Sequence, residues 1–467
     1  MDLRQRMFLE MRQKDLFEQA QDYAYHYADR ALGRNVYPTD EAIARLDRFN
    51  EAMPDAVGDP AAILEQLHAD GSPATVSQIG GRYFGFVNGG VIPVALAARW
   101  LSDFWDQNAA LYVTSPVSAT LEAVTESWLR DLFGLPRTVV AGFVSGTSLA
   151  IVCGLAAARY RLCKNNHWDI NQKGFNGAPV VRIVAGRQAH ATVLKAIALL
   201  GFGIETIEWI DTDAQGRVMA DKVPELDQNT ILILQAGNVY SGAFDPFEPV
   251  CSTARRANAW IHIDGAFGLW AAGAQRLKYL TKGIEKADSW SVDGHKTLNT
   301  PYDNGIVLCN DREALVHALQ ASGSYIAYSE NRDGMLYTPE MSRRSRVVEL
   351  WAALKFLGKA GVDDLVAGFH ERAVQFAREL NAEGFQILND VVFNQVLVAA
   401  ENDEITRRTL THIQRSGECW AGGADWEGKA VIRVSVCSWA TTEADISRSV
   451  RAFAAARSVA VHDSGSL

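Results

Sequence analysis

Through the first seventy-seven residues the apolar positions fall at helical spacing. Met7, Phe8, Met11, Leu16, Ala20, Tyr23, Ala24 and Tyr27 recur three and four apart with charges between them, which predicts amphipathic helices. Thr39-Asp40-Glu41 opens a second helix carrying Ile43, Leu46 and Phe49. Asp59 followed by Pro60 is a cap and first-turn signal for a third, ended by Gly71. From Gly80 the pattern shifts to short β-branched runs. Val139–Val144, Val180–Val184, Ile204–Ile210, Thr230–Gln235, Trp260–Ile263, Trp290–Val292 and Ile306–Leu308 are predicted strands. Helical segments such as Ala191–Leu200 and Pro246–Ala259 lie between them. That alternation predicts an α/β fold, a mainly parallel central sheet with helices on both faces, whose ligands gather at the carboxyl ends of strands. After Arg346 come a long helix (Val347–Leu357), strands Val391–Ala399 and Ala430–Val436, helices Glu404–Ser416 and Glu443–Arg457, and a polar end, Val461–Leu467, expected to fray. The chain is read as an N-terminal helical segment (1–79), a large domain (80–346) and a smaller C-terminal α+β domain (347–467).

Composition narrows the function classes. The 467 residues are 48% hydrophobic and 21% charged, with a formal net charge of −10, the balance of a globular protein without a nucleic-acid footprint. Six scattered cysteines form no Cys-x-x-Cys pair, so neither a disulfide framework nor a structural zinc site is expected, and a cytoplasmic setting fits. Charges interrupt the apolar residues at the N-terminus, unlike a signal peptide, and no run is long enough to span a bilayer.

Four features at strand ends or helix starts suit parts of one cofactor. Lys296 follows the strand Trp290–Val292 through Asp293-Gly294-His295, where an amine can lose its proton beside a group that fixes a ligand; alone, such a pair reads as a solvated loop. Asp264 ends the apolar strand Trp260-Ile-His-Ile and is followed by Gly265 and Ala266, leaving room for a flat ring beside a carboxylate, or simply capping a helix. Ser145-Gly146-Thr147-Ser148 opens a helix after Val139–Val144, where free N–H groups, hydroxyls and the helix dipole favour phosphate; the bland alternative is an ordinary N-cap. His190, after Val180–Val184, can stack on a ring face or sit as a buried capping histidine. A serine-nucleophile elbow is absent, and no Gly-x-Gly-x-x-Gly follows a strand, which disfavours a dinucleotide-binding dehydrogenase.

In that order these features resemble the group II pyridoxal-5′-phosphate (PLP) amino-acid decarboxylases, the family of aromatic-L-amino-acid, histidine and glutamate decarboxylases. The resemblance runs from Tyr83-Phe84-Gly-Phe86 through Thr114-Ser115-Pro116, Gln188-Ala-His190, Gly237-Asn238 and Gly242-Ala-Phe-Asp245-Pro246. It continues through His262-Ile-Asp264-Gly-Ala266, Asp293-Gly-His295-Lys296, Arg343-Arg344-Ser-Arg346 and Arg433-Val-Ser-Val-Cys437. It implies PLP fold type I (aspartate-aminotransferase-like) and a homodimer with active sites at the subunit interface, embraced by the N-terminal helices. It implies a Schiff base on Lys296, Asp264 on the pyridine nitrogen and His190 stacked on the ring. Ala266, Asn238 and His295 would stand beside the cofactor, with Ser145, Gly146, Thr147 and Ser148 at its phosphate. The implied reaction turns an L-amino acid into its amine and CO2.

Two departures bear on the outcome. Relatives of the aromatic decarboxylase type carry, ahead of the double arginine, a loop tyrosine associated with protonating Cα. A gap-free alignment puts Gly334 there, so Tyr337 is the expected substitute, with Tyr325 and Tyr328 further candidates. Without a proton donor, an aldehyde synthase, or another lyase or transaminase of the same fold, is the alternative. The phosphate loop also lacks the family's usual Glu-Ala. Substrate contacts are expected from Tyr83, Phe84, Phe86, Trp105 and Tyr112, some of them from the partner chain, and from Arg82, which with Gly81 stands where the family has His-Pro. A catalytically silent dimer is disfavoured because both Lys296 and Asp264 are present.

Overall fold

The computed structural model describes residues 1–320 and 328–464. Seven strands form the large sheet: β1 (Val140–Val144), β2 (Arg182–Gly186), β3 (Ile207–Ile210), β4 (Thr230–Gln235), β5 (Trp260–Asp264), β6 (Ser289–Asp293) and β7 (Gly305–Cys309), in the order β1-β7-β6-β5-β4-β2-β3. Only β7 runs against its neighbours; the pairs from β6 to β3 are parallel. The mainly parallel sheet expected from the alternation of runs is therefore the one that forms. Its strands read as continuous apolar runs because both faces are covered. On β4, Ile231 and Ile233 enter one core cluster and Leu232 and Leu234 the other. Each such fully buried side chain contributes about 1.5–3 kcal/mol.

A second, four-stranded antiparallel sheet has the order β10-β11-β9-β8, with β8 Gln386–Ile387, β9 Gln395–Ala399, β10 Gly422–Trp426 and β11 Lys429–Ser435. Strand β10 has no counterpart in the hydrophobic pattern, because Gly422-Gly423 and Asp425 break the apolar alternation. Residues 82–84 join this sheet from far away in sequence: Phe84 N–H donates to the Trp420 carbonyl (2.8 Å), and Ser435 N–H to the Phe84 carbonyl (2.9 Å). The long helix expected to stop at Leu357 continues as Val347–Ala382 through a kink at Gly358, where φ is 57°. The last helix, Glu443–Ser464, runs through most of the stretch expected to fray. Among the described residues no helix is long and apolar enough to cross a membrane, and the six cysteines are buried and unpaired.

Candidate active site

The carboxyl ends of β2, β4, β5 and β6 open on one edge of the large sheet, with the end of β1 and the start of β7 beside them, since Val144 and Asp293 both lie opposite Gly305. From β6 the chain turns through Gly294 and His295 to Lys296. The lysine side chain is 19% exposed, and its Nζ lies 3.1 Å from Asp293 Oδ2. Asp293 also accepts the Thr147 backbone N–H (2.7 Å) and hydroxyl (2.9 Å), so an acid from β6 caps the helix Thr147–Asn165 at its positive end. His295 Nδ1 accepts the Asn304 backbone N–H (3.0 Å). That assigns the ring proton to Nε2, which lies 3.6 Å from Asp293 Oδ2. Burial pushes the His295 pKa down, and Asp293 pulls against it.

Asp264, at the end of β5, is 5% exposed and sparsely partnered. Its Oδ1 accepts the Ala266 N–H at 3.2 Å and the Ser291 hydroxyl at a long 3.4 Å. Burial pushes its pKa up, with His190 and Lys296 pulling it back. His190 caps the helix Ala191–Leu199 through Nδ1, 2.7 Å from Thr192 Oγ1. Burial lowers its pKa; Asp264 raises it, and Lys296 and Arg433 lower it further. Asp264, His190, Lys296 and Asp293 are thus close enough to act on one another's charge. Arg433 enters from β11 of the small sheet, with its guanidinium 6.0 Å from the Tyr240 ring centroid, a long Nη1 bond to the Val239 carbonyl (3.4 Å) and a buried Nε that has no partner among the described residues.

The other expected site residues divide sharply. Ser145 and Gly146 are half-buried and Ser148 is exposed; the N-cap, Gly146, brings no side chain of its own. Gly305 packs so closely on Gly146 that a Cβ there would collide with the loop backbone. Thr147 is a correction: its N–H and hydroxyl are both spent on Asp293, so neither is free for phosphate. Asn238 Oδ1 closes its own turn on the N–H groups of Tyr240 (2.8 Å) and Ser241 (3.3 Å), while its Nδ2 lies buried and unpaired beside Gly216. Tyr83 stacks on Trp420 (5.2 Å), and burial pushes its phenol up to about 12 against the pull of Arg433. Phe86 stacks on the same indole at 5.5 Å and is 60% exposed.

Three expectations, Phe84, Arg82 and Tyr337, fail for one reason, that the side chain is used elsewhere. Phe84 is fully buried in the small-domain core, edge-on to Phe376 at 5.1 Å. Arg82 is buried against the carbonyls of Glu418 and Arg34, with Glu418 and Asp445 as counter-charges. Trp105 ends the helix Pro93–Trp105 on an exposed apolar face with Leu101 and Phe104. Tyr337 is 6% exposed, under the Arg332 guanidinium at 4.4 Å, and its hydroxyl accepts from Arg312 Nε at 3.1 Å. Arg312 follows Cys309, which pairs with Val140 and Ser289, the amino ends of β1 and β6, so the Tyr337 hydroxyl lies at the edge of the sheet opposite Lys296. Gly334 is packed beneath Arg343, where a Cβ would strike the guanidinium. Tyr112 is tied by its N–H to Asp333 (2.8 Å). Tyr328 lies within the described residues and Tyr325 outside them. Asp293 and Arg433, not singled out as site residues from sequence, carried a readable signal: a charge at the end of, or inside, an otherwise apolar strand.

PLP fits the residues at this edge. A buried carboxylate with two weak donors accepts what a protonated pyridine nitrogen offers, and the helix start at Gly146, with Ser145, Ser148 and His295 beside it, suits a phosphate. A family model described as "Pyridoxal-dependent decarboxylase conserved domain" matches residues 47–399. The chain is 24% identical over 462 residues to an aromatic-L-amino-acid decarboxylase of Bacillus atrophaeus, covering 93% of each. Its fold is similar to that of Oryza sativa TDC solved with PLP and tryptamine, with a TM-score of 0.88 at 20% identity, covering 96% of this chain and 98% of that one. It is also similar to that of a 4-hydroxyphenylacetaldehyde synthase of Rhodiola rosea, with a TM-score of 0.82 at 20% identity, covering 98% and 99%.

Proposed function

The chain belongs to the pyridoxal-dependent decarboxylase family and is a PLP-dependent carboxy-lyase; on that premise we propose that it converts an L-amino acid into the corresponding amine and CO2, with its cofactor held on Lys296. The observation that carries this reading is the meeting of Lys296, the under-partnered Asp264 and His190 at strand ends on one edge of the sheet.

Bound PLP supplies the electron sink for the pair left behind when CO2 departs. Asp264 would hold the pyridine nitrogen in its protonated form, and burial makes that contact strong. His190, fixed by its bond to Thr192, would press on the ring and keep its own orientation. Ser145, Gly146, Ser148 and His295 would take the phosphate. Arg433, with an unpaired Nε, would receive the substrate carboxylate and orient it before it is lost. Tyr83, Phe86 and Trp420 would shed water from the entrance.

The same reading includes a homodimer. Leu101, Phe104 and Trp105 are 56%, 63% and 44% exposed on one helix face, and Phe17 packs on Phe104 at 5.0 Å; a second copy would cover that face. It also includes the division of the chain near residues 79 and 346.

A second reading, an aldehyde-forming enzyme, is favoured by one observation. Tyr337 and Gly334 are both committed to the interior, so neither offers a proton to Cα. Incubation of the purified enzyme with a panel of L-amino acids, following CO2, amine, aldehyde and O2 together, separates the two. Amine equal to CO2 without O2 uptake is the expected result; aldehyde with O2 uptake would replace it with the second reading.

A further inference from the structure

Three residues past Lys296 stands a side chain that none of the chemistry above uses. Asn299 is fully buried, and its φ of 57° lies in the left-handed region, which asparagine tolerates better than most residues and which tends to persist only where its surroundings over-determine it. Held in that conformation, its amide reaches three separate segments. Nδ2 donates to the carbonyls of Lys296 (2.9 Å) and Cys437 (2.8 Å), with a longer approach to that of Thr297 (3.2 Å). Oδ1 accepts from the backbone N–H groups of Gly90 (3.1 Å) and Trp439 (2.9 Å). Its own N–H donates to the Lys296 carbonyl (3.0 Å), and its carbonyl accepts the Ile92 N–H (2.8 Å). Both donors and both acceptor positions of the amide are therefore used, in a region sealed from water.

Each segment so joined carries a different part of the site. The turn carries Lys296. Gly90 and Ile92 follow Tyr83 and Phe86 at the entrance, and Gly89 lies so close that a Cβ there would collide with the Lys296 carbonyl oxygen. Cys437 and Trp439 continue from β11, which carries Arg433. Lys296 belongs to the large sheet and Arg433 to the small one, so their separation depends on how the two sheets are joined. Asn299 stands at that junction.

We propose that Asn299 is a positioning residue that keeps Lys296 in register with the Arg433 strand and the entrance segment. The proposal rests on Lys296 as the cofactor anchor. Aspartate is no substitute, because a carboxylate would face the carbonyls of Lys296 and Cys437. Glycine keeps the left-handed backbone but drops every side-chain bond. A misplacement of about 1 Å in such a register costs on the order of 100-fold in rate.

The test compares holoenzyme of wild type, Asn299→Gly and Asn299→Asp. Both variants are expected to retain PLP, with an altered visible circular dichroism band of the bound cofactor and kcat lowered at least about 10-fold, Asp more than Gly. A residue that served stability alone would lower Tm and leave the band and kcat of the folded holoenzyme at wild-type values, and that result overturns the proposal. A second measurement needs no variant: hydrogen exchange at the Gly90 and Trp439 amides of wild type, with and without PLP. Exchange slowed about 10-fold by the cofactor supports the coupling, and equal rates overturn it. Wild-type protein that takes up no PLP would instead refute Lys296 as anchor.

Discussion

Among the described residues, two buried ionic clusters can be set side by side, one at the carboxyl edge of the large sheet and one beside β1. In the second, Arg332 pairs with Glu122 (2.9 Å) and Glu126 (2.7 Å), and Arg343 with Glu122 (2.6 Å). Every charge there has an opposite charge within hydrogen-bonding distance. Around Lys296 the accounts do not close. Asp264 has two weak donors, Arg433 has a buried Nε with no partner among the described residues, and burial pushes the His190 pKa down against the pull of Asp264. Both clusters follow from the same sequence grammar of charges set into apolar runs. Charge pairing separates them, although Arg343 Nε is also buried without a hydrogen-bond partner among the described residues: a cluster whose charges are paired stabilises one arrangement, whereas one with an unpaired charge is prepared for a ligand.

Substitutions in the two clusters should therefore fail in different ways. Asp264→Asn keeps the shape but removes the charge, and kcat should fall about 100- to 1,000-fold while Tm of the cofactor-free protein holds or rises, since a buried carboxylate is lost. A rate near wild type would remove Asp264 from the chemistry. Arg343→Met leaves Glu122 buried with half its compensation, and urea unfolding should report a loss of about 3–5 kcal/mol. The specific activity of the remaining folded enzyme should be unchanged; a selective loss of activity would join the two clusters into one site.

A buried histidine sharpens the same contrast. His262 is fully buried beside Ser289 (2.8 Å), and burial pushes its pKa down to about 3 from 6.5. A depressed pKa means that its contribution is present above pH 6.5 and is lost as pH falls towards 3, because the unfolded chain takes the proton first. Across that window His262→Asn should remove up to roughly 1.4 kcal/mol per pH unit of acid sensitivity without altering kcat. An unchanged acid-unfolding curve would contradict it. The smallest effect is expected of Tyr337→Phe, which deletes one hydrogen bond to Arg312 and should cost about 1 kcal/mol. The ratio of amine to aldehyde should not move; a shift towards aldehyde would return Tyr337 to the chemistry despite its position.

Much of the architecture was readable along the chain. β4 follows the predicted Thr230–Gln235 run residue for residue, because a strand buried on both faces leaves an uninterrupted apolar signature. Strand β10 left none, being half exposed and carrying two glycines. Within the site, Asp264 stood out because it ends an apolar strand, and Lys296 because it follows one within a few residues in a His-Lys pair. Asp293 ends one too, three residues before Lys296, yet its part emerged only with Thr147, its partner 146 positions away.

The sequence by itself determined the sheet and the strand ends, since these rest on periodicity, a local property, and it pointed to Lys296, Asp264 and His190 through their order along the chain and the family that order resembles. Only the tertiary structure decided which side chains remain available. Thr147 goes to Asp293, Tyr337 to Arg312, Phe84 to the small-domain core and Arg82 to the Glu418 and Arg34 carbonyls. Hydrogen bonds and buried surface are consumed in pairs, and the second member of each pair comes from a distant stretch that no local pattern identifies.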